Sequence, residues 1–144
     1  RLAKKVQAGA KFIQTQCIYN IPRFKEYMQR AGDLGLLDDV YVLAGVTPLK
    51  STGMGWYMAN NVPGLDVPKE VVDRMRAAVS DIPKEDKKAR GKAQREEGIK
   101  ICVETIQQMQ EIPGVSGVHI MAIEWEPAVS VIAEKAGLLP RPTV

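Results

Sequence analysis

The chain has 144 residues, 45% of them hydrophobic and 26% charged, with 20 Lys and Arg set against 17 Asp and Glu for a formal charge of +3. Such a composition excludes a disordered tail, and so small a charge, spread over mixed-sign segments, excludes the basic footprint of a nucleic-acid binder. The two cysteines, Cys17 and Cys102, form neither a CxxC pair nor a metal-ligand cluster, which excludes a disulfide scaffold and predicts a reducing, cytoplasmic setting.

Leu2 and Val6, four residues apart, open a helix that Gly9 ends. Lys11 to Tyr19 is rich in β-branched and aromatic residues and reads as the first strand. Asn20-Ile21-Pro22 starts a helix with Pro22 in its first turn, and Phe24, Tyr27, Met28 and Ala31 give it one apolar face before Gly32 and Gly35. Val40 to Val46 is an almost unbroken apolar run, the mark of a parallel strand covered on both faces. Thr47-Pro48 stops it, and the glycine-rich stretch from Ser51 to Met58 predicts a loop and then a short helix. Asp66 is the expected cap of the next helix, with Pro68 in its first turn and Val71, Val72, Met75 and Val79 as its stripe. The mixed-charge run from Lys84 to Glu97 reads as the solvated start of a long helix whose buried face is Ile99, Cys102, Val103, Ile106 and Met109. Val118 to Ile123 is the expected third strand. A last helix begins near Pro127, with Val131, Ile132 and Ala136 inward, and residues 138–144 read as a tail. Strands alternating with helices predict a parallel α/β sheet, with residues 1–144 as one segment.

No apolar run reaches the ~18 residues of a transmembrane helix, and no signal-peptide pattern is visible. Arg1 in place of Met, inside a helical pattern, predicts a piece of a longer protein.

Parallel α/β sheets gather chemistry at the carboxyl ends of their strands. The first strand end offers Thr15, Gln16, Cys17 and Tyr19; the second Thr47, Lys50 and Gly53-Met54-Gly55; the third Glu124, Trp125 and Glu126. Gln14 and Gln16 share a strand face by their spacing. They either hydrogen-bond neighbouring strands or, in the case of Gln16, meet a ligand. His119, the single histidine, is expected in the amino half of its strand as a structural residue rather than an acid–base group. Cys17 has no histidine beside it in sequence and reads as an inert thiol more readily than as a nucleophile. Glu124 and Glu126 share a face if the strand runs that far; otherwise one is exposed and one caps the Pro127 helix. Met54, Trp56, Tyr57 and Met58 form either a packed turn or a flat-ring platform. The loop is not a GxGxxG fingerprint, and no P-loop, HExxH or GxSxG occurs.

The stretch Lys5-Val6-Gln7-Ala8-Gly9-Ala10, followed by Thr15-Gln16, resembles the K-V-x-A-G-A-x-x-x-x-T-Q stretch of methylenetetrahydrofolate reductases. Gly45-Val46-Thr47-Pro48 is similar to that family's P-G-I-x-P strand end, and Gly117 to Met121 to its x-x-H-F-Y element. The resemblance implies the last three β/α units of a (β/α)₈ TIM barrel, since a whole barrel needs about 250 residues. It implies part of a flavin-dependent oxidoreductase, carrying FAD or else FMN, that reduces 5,10-methylenetetrahydrofolate to 5-methyltetrahydrofolate. Reduced pyridine nucleotide or another electron-donor protein would recharge the flavin. Carried over residue by residue, it implies Lys5 on the flavin nucleotide's phosphates, Gln16 on the pterin with Thr15 beside it, and Met58 against the aminobenzoate. Ala122-Ile123-Glu124-Trp125 departs from the family's T-L-N-R, so the contact made by that arginine is missing. The family's catalytic carboxylates lie on earlier strands, so no catalytic residue is expected in this segment. A second reading is a non-catalytic folate- or corrinoid-related binding or assembly subunit of the same barrel type. Three strands from a larger barrel also leave open edges, which predict a homo-oligomer or further chain covering them.

Overall fold

In the computed structural model, which describes residues 1–140, six helices and three strands alternate. The order is α1 (Leu2–Gln7), β1 (Phe12–Cys17), α2 (Ile21–Asp33), β2 (Tyr41–Val46), α3 (Thr52–Asn61), α4 (Lys69–Ala77), α5 (Lys87–Gln110), β3 (Val115–Ile120) and α6 (Pro127–Lys135). The strands form one sheet in the order β1-β2-β3, with both pairings parallel. This is the expected parallel α/β architecture, three consecutive strand–helix units with β2 central.

The sheet has two unlike faces. Val42, Ala44 and Val46 of β2 are buried against Cys102, Ile106 and Met109 of α5 and Ala128 and Ile132 of α6, with Val118 and Ile120 beside them. A fully buried side chain of this kind contributes roughly 1.5–3 kcal/mol, so this layer holds the helices to the sheet. Phe12, Gln14 and Gln16 of β1 alternate onto the exposed face, and Tyr41, in register with Phe12, is exposed there as well. A second cluster of Tyr19, Leu49, Met58, Met75 and Ile101 fixes α3 and α4 beyond the end of β2.

Local chemistry explains the element boundaries. Asn20 Oδ1 accepts from the Arg23 N–H at 3.0 Å, capping α2, and Phe24, Met28 and Ala31 are its buried stripe. Tyr27 stays half-exposed and stacks on Phe24 with ring centroids 6.3 Å apart. Gly35, at φ 65°, closes α2, and the Leu36 N–H returns to the Ala31 carbonyl.

Several expected boundaries are corrected. The segment around Gly53 and Gly55 is helical from Thr52 onward, capped by Ser51 Oγ on the Met54 N–H at 3.1 Å. Gly55 is buried, and a Cβ on it would lie 3.3 Å from Leu49 Cδ1, so the glycine serves close packing rather than a loop. Asp66 does not cap α4, whose N-cap position is Pro68; its carboxylate instead takes Arg23 and Asn20, 43 and 46 residues away in sequence. β3 starts and ends three residues earlier than expected. Val115 leaves the Pro113-Gly114 turn already in register with Val42, Ser116 forms a bulge whose Oγ accepts from the Val42 N–H, and the strand ends at Ile120. Val131 is partly exposed; the inward residues of α6 are Ala128, Ile132 and Ala136. The charged start of α5 is only partly solvated. Asp86 caps it at the Ala89 N–H, and the Arg90 guanidinium donates to the Val79 and Ile82 carbonyls. Of the expected tail, residues 141–144 lie outside the described residues. None of the described helices is long and apolar enough to cross a membrane.

Candidate functional site

The carboxyl ends of the three strands form one rim. β1 contributes Gln16 and Cys17, the segment after β2 contributes Thr47 to Lys50, and the turn after β3 contributes Met121 to Glu124.

Gln16 owes its position to a bulge. The β1–β2 register shifts between Gln14 and Cys17, and Thr15 holds the irregular backbone. Its Oγ1 accepts from the Gly45 N–H at 2.8 Å and donates to the Gln16 carbonyl at 2.8 Å. Gly45 is a requirement of the same device, because a Cβ there would lie 2.6 Å from the Gln16 carbonyl oxygen and 2.8 Å from that of Thr15. Above this staple the Gln16 side chain is exposed, with Oε1 beside Gly64 in the α3–α4 loop, 3.3 Å from where a Cβ on that glycine would stand.

The two glutamines have different fates. Gln14 Nε2 donates to His119 Nδ1 at 2.5 Å, crossing the central strand, where Gln14 is in register with Leu43 and His119 with Gly45. The Gln16 amide takes no hydrogen bond among the described residues. It is the glutamine left available to a ligand. His119 is the penultimate residue of β3, not in its amino half as expected, because the whole strand begins earlier.

Under the rim lies a buried polar knot. Cys17 Sγ and Thr47 Oγ1 are 2.8 Å apart, and the Tyr19 hydroxyl donates to the Thr47 carbonyl at 3.0 Å and to Met58 Sδ at 3.4 Å. Burial pushes the Tyr19 phenol far above its ordinary range, and Cys17 and Cys102 add to the shift. Burial also pushes the Cys102 thiol up to about 12, which leaves it protonated and unreactive at neutral pH. Met58 is buried in this knot, while Trp56 and Tyr57 of the same helix are exposed.

Two ion pairs border the rim. Arg23 holds Asp66 at 2.7 Å with Asn20 assisting at 3.0 Å, and the guanidinium keeps that carboxyl below its ordinary range. Lys50 Nζ lies 3.8 Å from Glu124 Oε2. The strand ends before Glu124, which sits in a turn at φ 50°, so Glu124 and Glu126 do not share a strand face. Glu126 occupies the N-cap position of α6 without a side-chain capping bond.

Of the residues singled out in the sequence, Gln16, Thr15 and Met58 meet at this end of the sheet. Thr15 acts through backbone bonds and Met58 from beneath. Lys5, in the last turn of α1, borders a shallow cleft with Gly9, Phe12 and Gln14 near the start of β1, away from the rim. The pairs Gln14–His119, Arg23–Asp66 and Lys50–Glu124 join residues 105, 43 and 74 positions apart. Among them only strand-end position pointed to Lys50 and Glu124 in advance. No group of acidic, histidine or cysteine side chains among the described residues is disposed to hold a metal.

Comparison with known proteins identifies the family. The family model described as methylenetetrahydrofolate reductase matches residues 1–137. Methylenetetrahydrofolate reductase 2 of Schizosaccharomyces pombe is 28% identical over 144 residues, covering 97% of this chain and 21% of that protein. Methylenetetrahydrofolate reductase 1 of the same yeast is 25% identical over 138 residues, and methylenetetrahydrofolate reductase 2 of Saccharomyces cerevisiae 26% over 139, each covering 96% of this chain and 21% of the relative. The chain therefore spans about a fifth of the length of the curated relatives it matches. With a match over residues 1–137 and three parallel β/α units of the kind that build a TIM barrel, the chain belongs to the methylenetetrahydrofolate reductase family.

Proposed function

We propose that this chain supplies the pterin-binding rim of a flavin-dependent reductase that converts 5,10-methylenetetrahydrofolate to 5-methyltetrahydrofolate. The observation that carries the proposal is the Gln16 amide, exposed at the carboxyl end of β1 on a bulge that Thr15 and Gly45 build for it. A primary amide offers two donors and an acceptor, a match to the alternating donor and acceptor edge of a pterin. Burying such an edge unpaired costs roughly 1–3 kcal/mol, so the amide both binds and selects.

The residues present fit a flavin. The exposed sheet face carries aromatic and amide side chains, Phe12, Tyr41 and Gln14, toward the start of β1 and β2. The exposed Lys5 near the start of β1 is suited to a dinucleotide's phosphates. When bound, FAD, or FMN in its place, supplies the hydride chemistry. The protein's own part is positional. Gln16 orients the pterin, Thr15 keeps the backbone beneath it fixed, and Met58, held by Tyr19, supports the helix that exposes Trp56 and Tyr57. Recharging by reduced pyridine nucleotide or an electron-donor protein completes the cycle.

The test uses the longest natural protein that carries this segment. It is expected to bind flavin and to reduce methylenetetrahydrofolate. Gln16→Ala is expected to lower kcat/KM for the folate by about 10- to 100-fold, the worth of one or two lost hydrogen bonds, with flavin content retained. A colourless protein that cannot be reconstituted with flavin overturns the enzyme and favours a binding subunit. Equal loss of folate use and flavin binding assigns Gln16 to packing.

A further inference from the structure

The rim carries a charge pair that the pterin site does not use. Lys50 follows β2 and Glu124 follows β3. Neighbouring strands are about 4.8 Å apart, so Lys50 stands one strand from Gln16 and Glu124 two. The two partners are held very differently. The lysine side chain is two-thirds covered, 33% exposed, whereas the glutamate is 89% exposed. The backbone N–H of Lys50 donates to Met54 Sδ at 3.5 Å, and Leu49 before it is buried in the second core cluster, so the backbone that carries the lysine is anchored. That anchor keeps the lysine at the rim. The carboxylate, 3.8 Å away, is beyond hydrogen-bond length and open to water, which makes it the exchangeable member. The other rim cation, Arg23, is already committed to Asp66 through a direct bond at 2.7 Å.

We infer that Lys50 is a specificity-determining residue that receives the carboxylate end of the substrate, with Glu124 as the resident carboxylate that the substrate displaces. The inference rests on the folate reading proposed above. A pterin held by Gln16 must extend its other end along the rim, and a folate, unlike a bare pteridine, ends in a carboxylate. Lys50 is the rim cation with a partner loose enough to give way to it. Glu124 then has a screening role. It neutralises the lysine when no substrate is present and competes weakly with small anions.

The experiment compares two substrates of the intact reductase, the glutamyl folate and the corresponding tetrahydropteroate that lacks glutamate. The readout is the ratio of their kcat/KM values. Lys50→Met is expected to lower this preference for the glutamyl form by about tenfold, the worth of one charge-assisted contact. Lys50→Arg is expected to restore most of it, and Glu124→Gln to lower KM for the glutamyl form by removing its competitor. An unchanged ratio in Lys50→Met overturns the inference while leaving the folate reading intact, as does a Glu124→Gln that loses the preference together with Lys50→Met. A wild-type protein that turns over neither substrate overturns both.

Discussion

Gly98 of α5 packs its bare Cα against the main chain at Leu49, so closely that a Cβ there would lie 1.8 Å from the Leu49 carbonyl oxygen and 2.8 Å from its carbonyl carbon. The long helix and the segment leaving β2 are thereby locked at backbone contact, and everything that follows Leu49 on the rim inherits the position of α5. Gly98→Ala gains roughly 1 kcal/mol of helix propensity. It must nevertheless displace main chain rather than a pliable side chain. The expected outcome is a net destabilisation of about 3 kcal/mol, seen as a fall of ~10 °C in the thermal midpoint. A midpoint unchanged or raised would show that α5 can slide without cost.

Gly45 governs the other strand end. Its missing side chain makes room for the Gln16 and Thr15 carbonyls and for Met121 Cε, which would stand 2.7 Å from a Cβ. Gly45→Ala is expected to cost about 2 kcal/mol of stability and to undo the bulge that presents Gln16. Under the function proposed above, folate affinity in the intact reductase should then fall as far as in Gln16→Ala, and the double variant should be no worse than Gly45→Ala alone. Additive losses in that cycle would show that the bulge and the amide act separately.

The readable and unreadable parts of this fold differ by the range of the interactions that set them. β2 is legible because Val40 to Val46 is an almost unbroken apolar run, although helices cover only its Val42, Ala44 and Val46 side and Tyr41 on the other side is exposed, and α2 because Asn20, Pro22, Phe24, Met28 and Ala31 are all local signals. β3 was placed late because Val115-Ser116-Gly117 has no apolar alternation; its start is set by pairing with Val42. Asp66 looked like a helix cap until Arg23 and Asn20, distant in sequence, competed for it. Gly55 reads as part of a loop because glycine's use in close packing cannot be told from its use in turns without the neighbour, here Leu49, while Gly53 meets no close neighbour and simply lies in the first turn of α3. At the site, the spacing of Gln14 and Gln16 correctly gave them a common face. That one would be tied to His119 and the other left available depended on register across three strands.

Arg74 joins α4 to α5 by donating to Glu97 at 2.7 and 3.0 Å and to Glu104 at 2.6 Å. The guanidinium's hydrogen bond is the main cause that holds the Glu104 carboxyl below its ordinary value of 4.5, with burial opposing and Lys100 assisting. A carboxyl depressed in the folded state stabilises the fold above its unfolded value, and that contribution is lost as pH falls through the folded one. Full stabilisation is therefore expected above about pH 4.5, with decline only below it. The pair is more than one-third exposed on both sides, so solvent screening limits its worth to about 1 kcal/mol. Arg74→Met breaks the Glu97 pair as well as the Glu104 pair, so it should remove about 1–2 kcal/mol at neutral pH and flatten the acid limb of a plot of unfolding free energy against pH. An acid limb identical to that of the parent chain would exclude Glu104 as its source.

The edges of the sheet lead to a prediction about the 144-residue chain studied alone. β1 and β3 each pair on one side only among the described residues, and the face they border exposes Phe12 and Tyr41, which are 61% and 68% accessible and opposite one another in register. Unpaired N–H and C=O groups beside an apolar face are a template for another strand. The isolated chain is expected to self-associate through this face, read as a concentration-dependent rise in sedimentation coefficient. Phe12→Lys with Tyr41→Lys places charge on that face without touching the core between sheet and helices, and should return the chain to a monomer with its helical content retained. A wild-type chain that stays monomeric at all concentrations would mean that the two edges are blunted by their own bulges at Gln14–Cys17 and Ser116.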